Sequence, residues 1–174
     1  MILGQGLSSR LQDALLVKRQ LVAGVGAYNG AYKNAGILQI GVSVMPENAK
    51  EVTKIICHTV RDLADTLTES EVTRVLELME NHVSTSFEAM DKVCRTIGHE
   101  TATTGRSKTL DEMLAEIHAL TIDDVRRLAK QVAVPPAIGA VGKVDHLHSY
   151  PEIAAMMQPP PASPNVKADA PQPN

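Results

Sequence analysis

The residues with the chemistry to act in this chain are six histidines, two cysteines and a glycine-serine block at its start. A zinc-binding peptidase helix needs two His four residues apart with a Glu between them, so that ligands and general base share one face. None of His58, His82, His99, His118, His146 or His148 has such a partner. His146 and His148, two residues apart after an apolar run, have a spacing that can grip a metal but read first as solvated loop residues. His99 ends a helical pattern, where an imidazole suits the negative end of the dipole. Cys57 precedes His58, but neighbours on a helix point about 100° apart and form no nucleophile–base dyad. No nucleophile elbow or Ser/His/Asp set is present.

The opening block, Gly4-Gln5-Gly6-Leu7-Ser8-Ser9-Arg10-Leu11, invites a phosphate-loop reading. That reading fails on spacing, because no Gly-Lys-Ser/Thr follows and no third glycine completes a dinucleotide fingerprint. Residues 1–22 hold Arg10, Lys18 and Arg19 against the single acid Asp13, a composition that also suits a transit peptide. The residues alone therefore give no catalytic, cofactor-binding or metal-binding set.

Composition narrows the class. Apolar residues make up 44% and charged residues 21%, as in an ordinary globular domain. Aromatics are only 2%, so aliphatic side chains must fill the core and stacking platforms for bases are scarce. A net charge of −3 gives no field for nucleic acid or anionic lipid. Cys57 and Cys94 fall in helical patterns and read as reduced thiols.

Periodicity sets the elements. Leu7, Leu11, Leu15 and Val22 predict a helix over 7–22. A strand is expected to end near Ala27, before the turn signal Tyr28-Asn29-Gly30. Leu38, Ile40, Val42 and Val44 alternate in a strand over 36–45. Pro46 and Glu47 open a helix, and Thr68 with Glu71 fits a capping box for a long helix reaching about Ile97, with Met79 and Met90 on its core stripe. A polar loop over 101–108 separates it from helices at 109–119 and from Thr121 to about Ala133. Ala137–Val144 reads as a third strand. Arg126-Arg127 reads as a solvated helix face. Paired strands followed by grouped helices predict an α+β fold, an antiparallel sheet with helices layered on one face. A domain over 1–157 and a Pro-rich disordered tail over 158–174 are expected. Three strands are few for so many helices, which suggests an opening strand and helix absent before Met1.

In order along the chain, several stretches resemble the second, non-zinc domain of insulinase/pitrilysin-type zinc peptidases. The Gly4–Leu11 block is similar to that family's Gly-Gly-Gly-Met-Ser-Ser-Arg-Leu turn. Ala35-Gly36-Ile37 through Met45-Pro46-Glu47-Asn48, then Leu67-Thr68-Glu69-Ser70-Glu71-Val72, Ile97-Gly98, Leu110-Asp111-Glu112 and Leu120–Val125 resemble the rest of the domain. Ala137–Gly142 with Ser149-Tyr150-Pro151-Glu152-Ile153 resembles the carboxyl end of mitochondrial processing peptidase and respiratory complex III core subunits; a bacterial two-subunit member is the other branch. Many second domains in this family carry an Arg and, seven residues on, a Tyr that stabilise the tetrahedral intermediate. Registered on Ser8-Ser9-Arg10-Leu11, those positions are Leu16 and Ala23, and neither side chain donates a hydrogen bond. Arg19 and Tyr28 are near but out of register.

The resemblance therefore implies a catalytically silent domain that acts as a scaffold among other subunits of a peptidase or respiratory complex, in the mitochondrial matrix or on the matrix face of the inner membrane. Contact with presequence peptides would come through the assembly. It implies no nucleic-acid partner, membrane association only through partners, and no cofactor in this chain, with zinc left to a partner subunit. The alternative it leaves is the C-terminal part of a zinc endopeptidase whose zinc another chain or domain supplies.

Overall fold

The computed structural model describes residues 1–158 apart from Lys33. Turns over the first nine residues lead into a short helical segment. Two strands follow, β1 (Val22–Ala31) and β2 (Gly36–Val44), then seven helices: α1 (Ala49–Arg61), α2 (Leu63–Thr66), α3 (Glu69–Glu88), α4 (Met90–Thr104), α5 (Leu110–His118), α6 (Ile122–Val132) and α7 (Tyr150–Met156). This is the α+β class expected, with one antiparallel pair of strands.

The core lies where β1, the first helical segment and α1 meet. Leu11 and Leu15 are fully enclosed, and Val22, Val25, Val52, Val60, Leu63, Val72 and Ile153 join them. Aliphatic residues fill this volume, as the scarcity of aromatics requires. Gly4 is needed where it stands: a Cβ there would lie 2.4 Å from the backbone nitrogen of Ala27, so only glycine lets the first turn press against β1.

The expected helix over 7–22 is shorter and differently wound. Gln12–Val17 forms a π-helical turn, closed by the Lys18 N–H donating to the Asp13 carbonyl at 2.9 Å, and the chain is already in β1 at Val22. The wider turn keeps both Leu11 and Leu15 inside while releasing the chain early enough for the strand. Tyr28-Asn29-Gly30 is not the turn. β1 continues to Ala31, with Tyr28 opposite Gln39 and Gly30 opposite Ile37, and the reversal occurs at Tyr32–Ala35. Cross-strand pairing overrides the local turn preference of Asn-Gly.

Capping boxes fix the helix starts at Thr68/Glu71, Thr109/Glu112 and Thr121/Asp124. The long helix expected to reach Ile97 breaks at Ala89, which is extended (φ −105°, ψ 118°). Just before the break, the Ser86 hydroxyl donates to the His82 carbonyl, a contact that competes with helix bonding. Beyond it Met90 is 78% exposed rather than on a core stripe, and α4 buries no residue. The expected loop over 101–108 is helical to Thr104. Gly105, in the left-handed region (φ +88°), ends α4 and donates to the Thr101 carbonyl.

Residues 137–144 make no strand among the described residues: they run without a ladder partner, and Ile138, Val141 and Val144 are exposed. Apolar alternation specifies a strand only where an edge exists to receive it. Helix α7 follows, a feature the periodicity did not reveal because it spans only seven residues. Its start is nonetheless signalled by Pro151 and by Glu152, whose carboxylate accepts from the Ser149 backbone N–H at 2.8 Å. Arg61 on α1 holds its far end by donating to the Met156 carbonyl at 3.1 Å. Both cysteines are free thiols, Cys57 buried and Cys94 exposed; burial pushes the Cys57 thiol above its ordinary range. The Pro-rich stretch called a tail lies, from residue 159 on, outside the described residues.

Leu15→Ala is expected to cost about 2–5 kcal/mol by leaving a cavity in the core, whereas Leu128→Ala, at a residue 58% exposed, should cost about 0.5 kcal/mol or less. Urea unfolding of the two variants measures the contrast.

Candidate functional site

The Ser-Ser-Arg block has a structural task that its sequence did not disclose. Arg10 emerges from the first helical segment and reaches the start of α3, some 60 residues on. Its Nε and Nη2 donate to the two carboxylate oxygens of Glu71, each at 2.8 Å, and its Nη1 and Nη2 donate to the hydroxyl and carbonyl of Thr66. Glu71 is also the third residue of the capping box, accepting from the Thr68 backbone N–H at 3.1 Å. One carboxylate thus caps α3 and anchors Arg10. Arg74 adds contacts to the Ser8 hydroxyl and carbonyl, while Ser9 is buried beside them.

The Arg10 guanidinium, with lesser help from Thr68, holds the Glu71 carboxyl at about 2, well below its usual range. Both side chains are about four-fifths covered. Water screens this pair less than an ordinary surface pair, and its bidentate geometry is specific.

The two positions registered with the family's Arg and Tyr can now be placed. Leu16 lies in the π-helical turn and packs against the core. Ala23 is the extra residue of a β-bulge at the start of β1, because Val22 pairs with Val44 and Gly24 already pairs with Ser43. Neither offers a polar group there. Arg19 is engaged with Glu51 at 2.9 Å. Tyr28 lies along the hairpin surface over Gly26, where a Cβ would come within 2.7 Å of its hydroxyl.

That hairpin surface is open. Gly24, Gly26, Tyr28, Gly41, Val42 and Ser43 line a shallow hollow of about 400 Å³. Its walls are backbone and small side chains, suited to receiving another stretch of polypeptide. On β2, Ile37, Leu38 and Val42 are exposed, and among the described residues β1 is its sole partner. The second open region is the α3–α4 arm, with Leu78 44% and Ile97 47% exposed.

The histidines remain scattered. His82, His99 and His146 are exposed, and His118 lies 3.3 Å from Glu80 on α3. His58 and His148 share a cleft with Arg19, the one convergence that the sequence did not suggest. Among the described residues no three His, Cys, Asp or Glu side chains converge as a metal site. No described helix is long and apolar enough to cross a membrane. Arg126 and Arg127 pair with Asp123 and Asp124 on their own helix face; Arg127 is solvated as expected, while Arg126 is half-buried and also donates to the Leu67 carbonyl at 3.5 Å.

Comparison with known proteins follows this geometry. Residues 1–79 match the family model described as Peptidase M16 inactive domain. The chain is 28% identical over 142 residues to an uncharacterized zinc protease of Streptomyces coelicolor, covering 80% of this chain and 31% of that protein. It is 24% identical over 155 residues to the mitochondrial-processing peptidase subunit alpha of Bos taurus, covering 88% of this chain and 30% of that subunit. The fold is shared with a chain of Complex III2 from Candida albicans, solved with Inz-5 bound, at a TM-score of 0.76 and 18% identity over 86% of this chain and 36% of that one. The chain therefore spans about a third of the length of the relatives it matches.

Glu71→Gln is expected to remove about 1–2 kcal/mol of stability at neutral pH, the discounted worth of a charged bidentate contact at a partly covered site. Because the folded-state value lies below the ordinary 4.5, the contribution is full above pH 4.5 and disappears as pH falls towards about 2. Urea midpoints measured from pH 7 to pH 2 should fall for the parent through that window and fall less for the variant. Residues 1–79 thus match the inactive domain of the M16 peptidases, and most of the chain is similar to part of a processing-peptidase subunit and part of a bacterial zinc protease.

Proposed function

We propose that this chain is a non-catalytic scaffold domain in a hetero-oligomer of the processing-peptidase or complex III core type. The observation that carries the reading is the open hairpin. β2 presents an uncharged edge of nine residues, Gly36–Val44, with Ile37, Leu38 and Val42 exposed. An unpaired apolar edge of this length is a liability in an isolated chain and an asset where another polypeptide adds a strand. The ladderless segment 137–144 and the uncovered α3–α4 arm extend the surface available to partner subunits.

The chemistry supports the same reading. Leu16 and Ala23 stand where a catalytic second domain places its hydrogen-bond donors, so this domain contributes no oxyanion stabilisation at that site. Zinc is left to a partner subunit, and presequence peptides would meet this domain only within the assembly. The mitochondrial matrix, or the matrix face of the inner membrane, is the proposed location, supported by the likeness to processing-peptidase subunit alpha.

The second reading is the C-terminal part of a zinc metalloendopeptidase whose zinc another chain or domain supplies, and the likeness to a bacterial zinc protease favours it. Affinity capture of the full chain from its native source, followed by mass spectrometry, zinc analysis and assay on a presequence peptide, separates the two. The scaffold reading expects stoichiometric partner subunits and, from the isolated chain, neither zinc nor cleavage. Stoichiometric zinc and peptide cleavage by the isolated chain would overturn it. Capture with a single zinc-bearing peptidase subunit whose activity needs this chain would favour the second reading.

A further inference from the structure

Away from the hairpin, three separated segments converge on a cleft of about 510 Å³. Arg19 comes from the turn after the π-helical segment, Lys50, Lys54 and His58 from one face of α1, and His148 from the turn before α7. Ile55 contributes an apolar wall. The charge there is unbalanced: Arg19 is paired with Glu51, while Lys50 and Lys54 are exposed and make no ion pair among the described residues. The His148 Nδ1 is buried without a hydrogen-bond partner and stands 3.6 Å from Glu152.

The arrangement carries two local electrostatic costs that the nearby Glu51, already paired with Arg19, offsets only in part. Lys50 lies in the first turn of α1, at the positive end of the helix dipole, where a cation is disfavoured. Lys50, Lys54 and His58 recur every four residues, so the two lysines face each other as like charges, again at a cost. An anion in the cleft would turn both penalties into attraction.

We propose that this cleft binds a phosphate-bearing anion. Lys50 and Lys54 supply charge, Arg19 supplies planar donors shared with Glu51, and His58 and His148 supply ring N–H groups. A phosphate group has enough acceptor oxygens to engage donors arriving from three directions. The concave shape suits a compact ligand better than a flat acidic protein surface. A free anion and a lipid headgroup both carry this chemistry, and the test separates the two.

The full chain is titrated with pyrophosphate by calorimetry while α1 amides are followed by NMR. It is also sedimented with phosphatidylcholine vesicles with and without phosphatidic acid. The probe variant is Lys50→Gln/Lys54→Gln, at two exposed positions, with folding checked by circular dichroism; Arg19→Gln serves as a second variant. The expected result is saturable binding that weakens with added salt and falls about tenfold or more in the double variant, with the free variant no less stable than the parent. Variant-sensitive binding of pyrophosphate alone identifies a free anion, and binding that extends to phosphatidic acid vesicles identifies a headgroup. No saturable binding of either probe, equal binding by parent and variants, or binding only of a poly-glutamate control peptide would overturn the proposal.

Discussion

The bidentate contact between Arg10 and Glu71 is the constraint on which the rest of the arrangement depends. It joins the first helical segment, which carries Leu11 and Leu15 into the core, to the start of α3. Because Glu71 also caps α3, losing its charge would weaken two things at once: the helix start and the tether to the first segment. Arg10 reaches Thr66 as well, so the short α2 and its connection to α3 are held in the same network. Lysine could not replace this contact, since only a planar guanidinium offers paired donors with a third left over.

From that anchor the core is built on one side and left open on the other. β1 turns Val22, Val25 and Ala27 inward, and Gly4 brings the first turn into backbone contact with it. β2 meets the core only through Ile40 and Val44, which leaves much of its aliphatic content facing water. Burial of apolar surface is the main favourable term in folding. An isolated domain gains nothing from the exposed parts of Ile37 and Leu38. Their cost makes sense if another polypeptide covers them, and this is the physical basis for reading the hairpin as an assembly surface.

Sequence periodicity was most reliable where local chemistry and tertiary packing agree. The Thr68/Glu71 capping box, the strand over 36–44 and the helices beginning at Leu110 and Ile122 were legible because caps and apolar stripes point to one answer. It failed where a distant contact decides. The π-helical turn depends on enclosing both Leu11 and Leu15 while meeting β1 at Val22, and no local signal encodes it. Asn29-Gly30 is a sound turn signal overridden by its cross-strand partners. Met90 has helical spacing for a core stripe but lies beyond the break at Ala89, where nothing covers it. The segment 137–144 has strand composition without a strand to pair with, and periodicity cannot report the absence of a neighbour.

The candidate sites divide in the same way. Ser8 and Arg10 stood out as letters, yet their partners Glu71, Thr66 and Arg74 lie more than 50 residues away, so their role as a clasp emerged only from the fold. The cleft around Lys50 and Lys54 gave even less signal, because lysines on a helix face usually mean solvation. What distinguishes this pair is position: the first turn of α1 adds the dipole to their mutual repulsion, and two imidazoles from different segments stand beside them. A surface lysine can be explained by solubility alone. A cationic helix face set against its own dipole, in a concave site that segments from three parts of the chain line together, is harder to explain that way, and this geometry is what the anion proposal rests on.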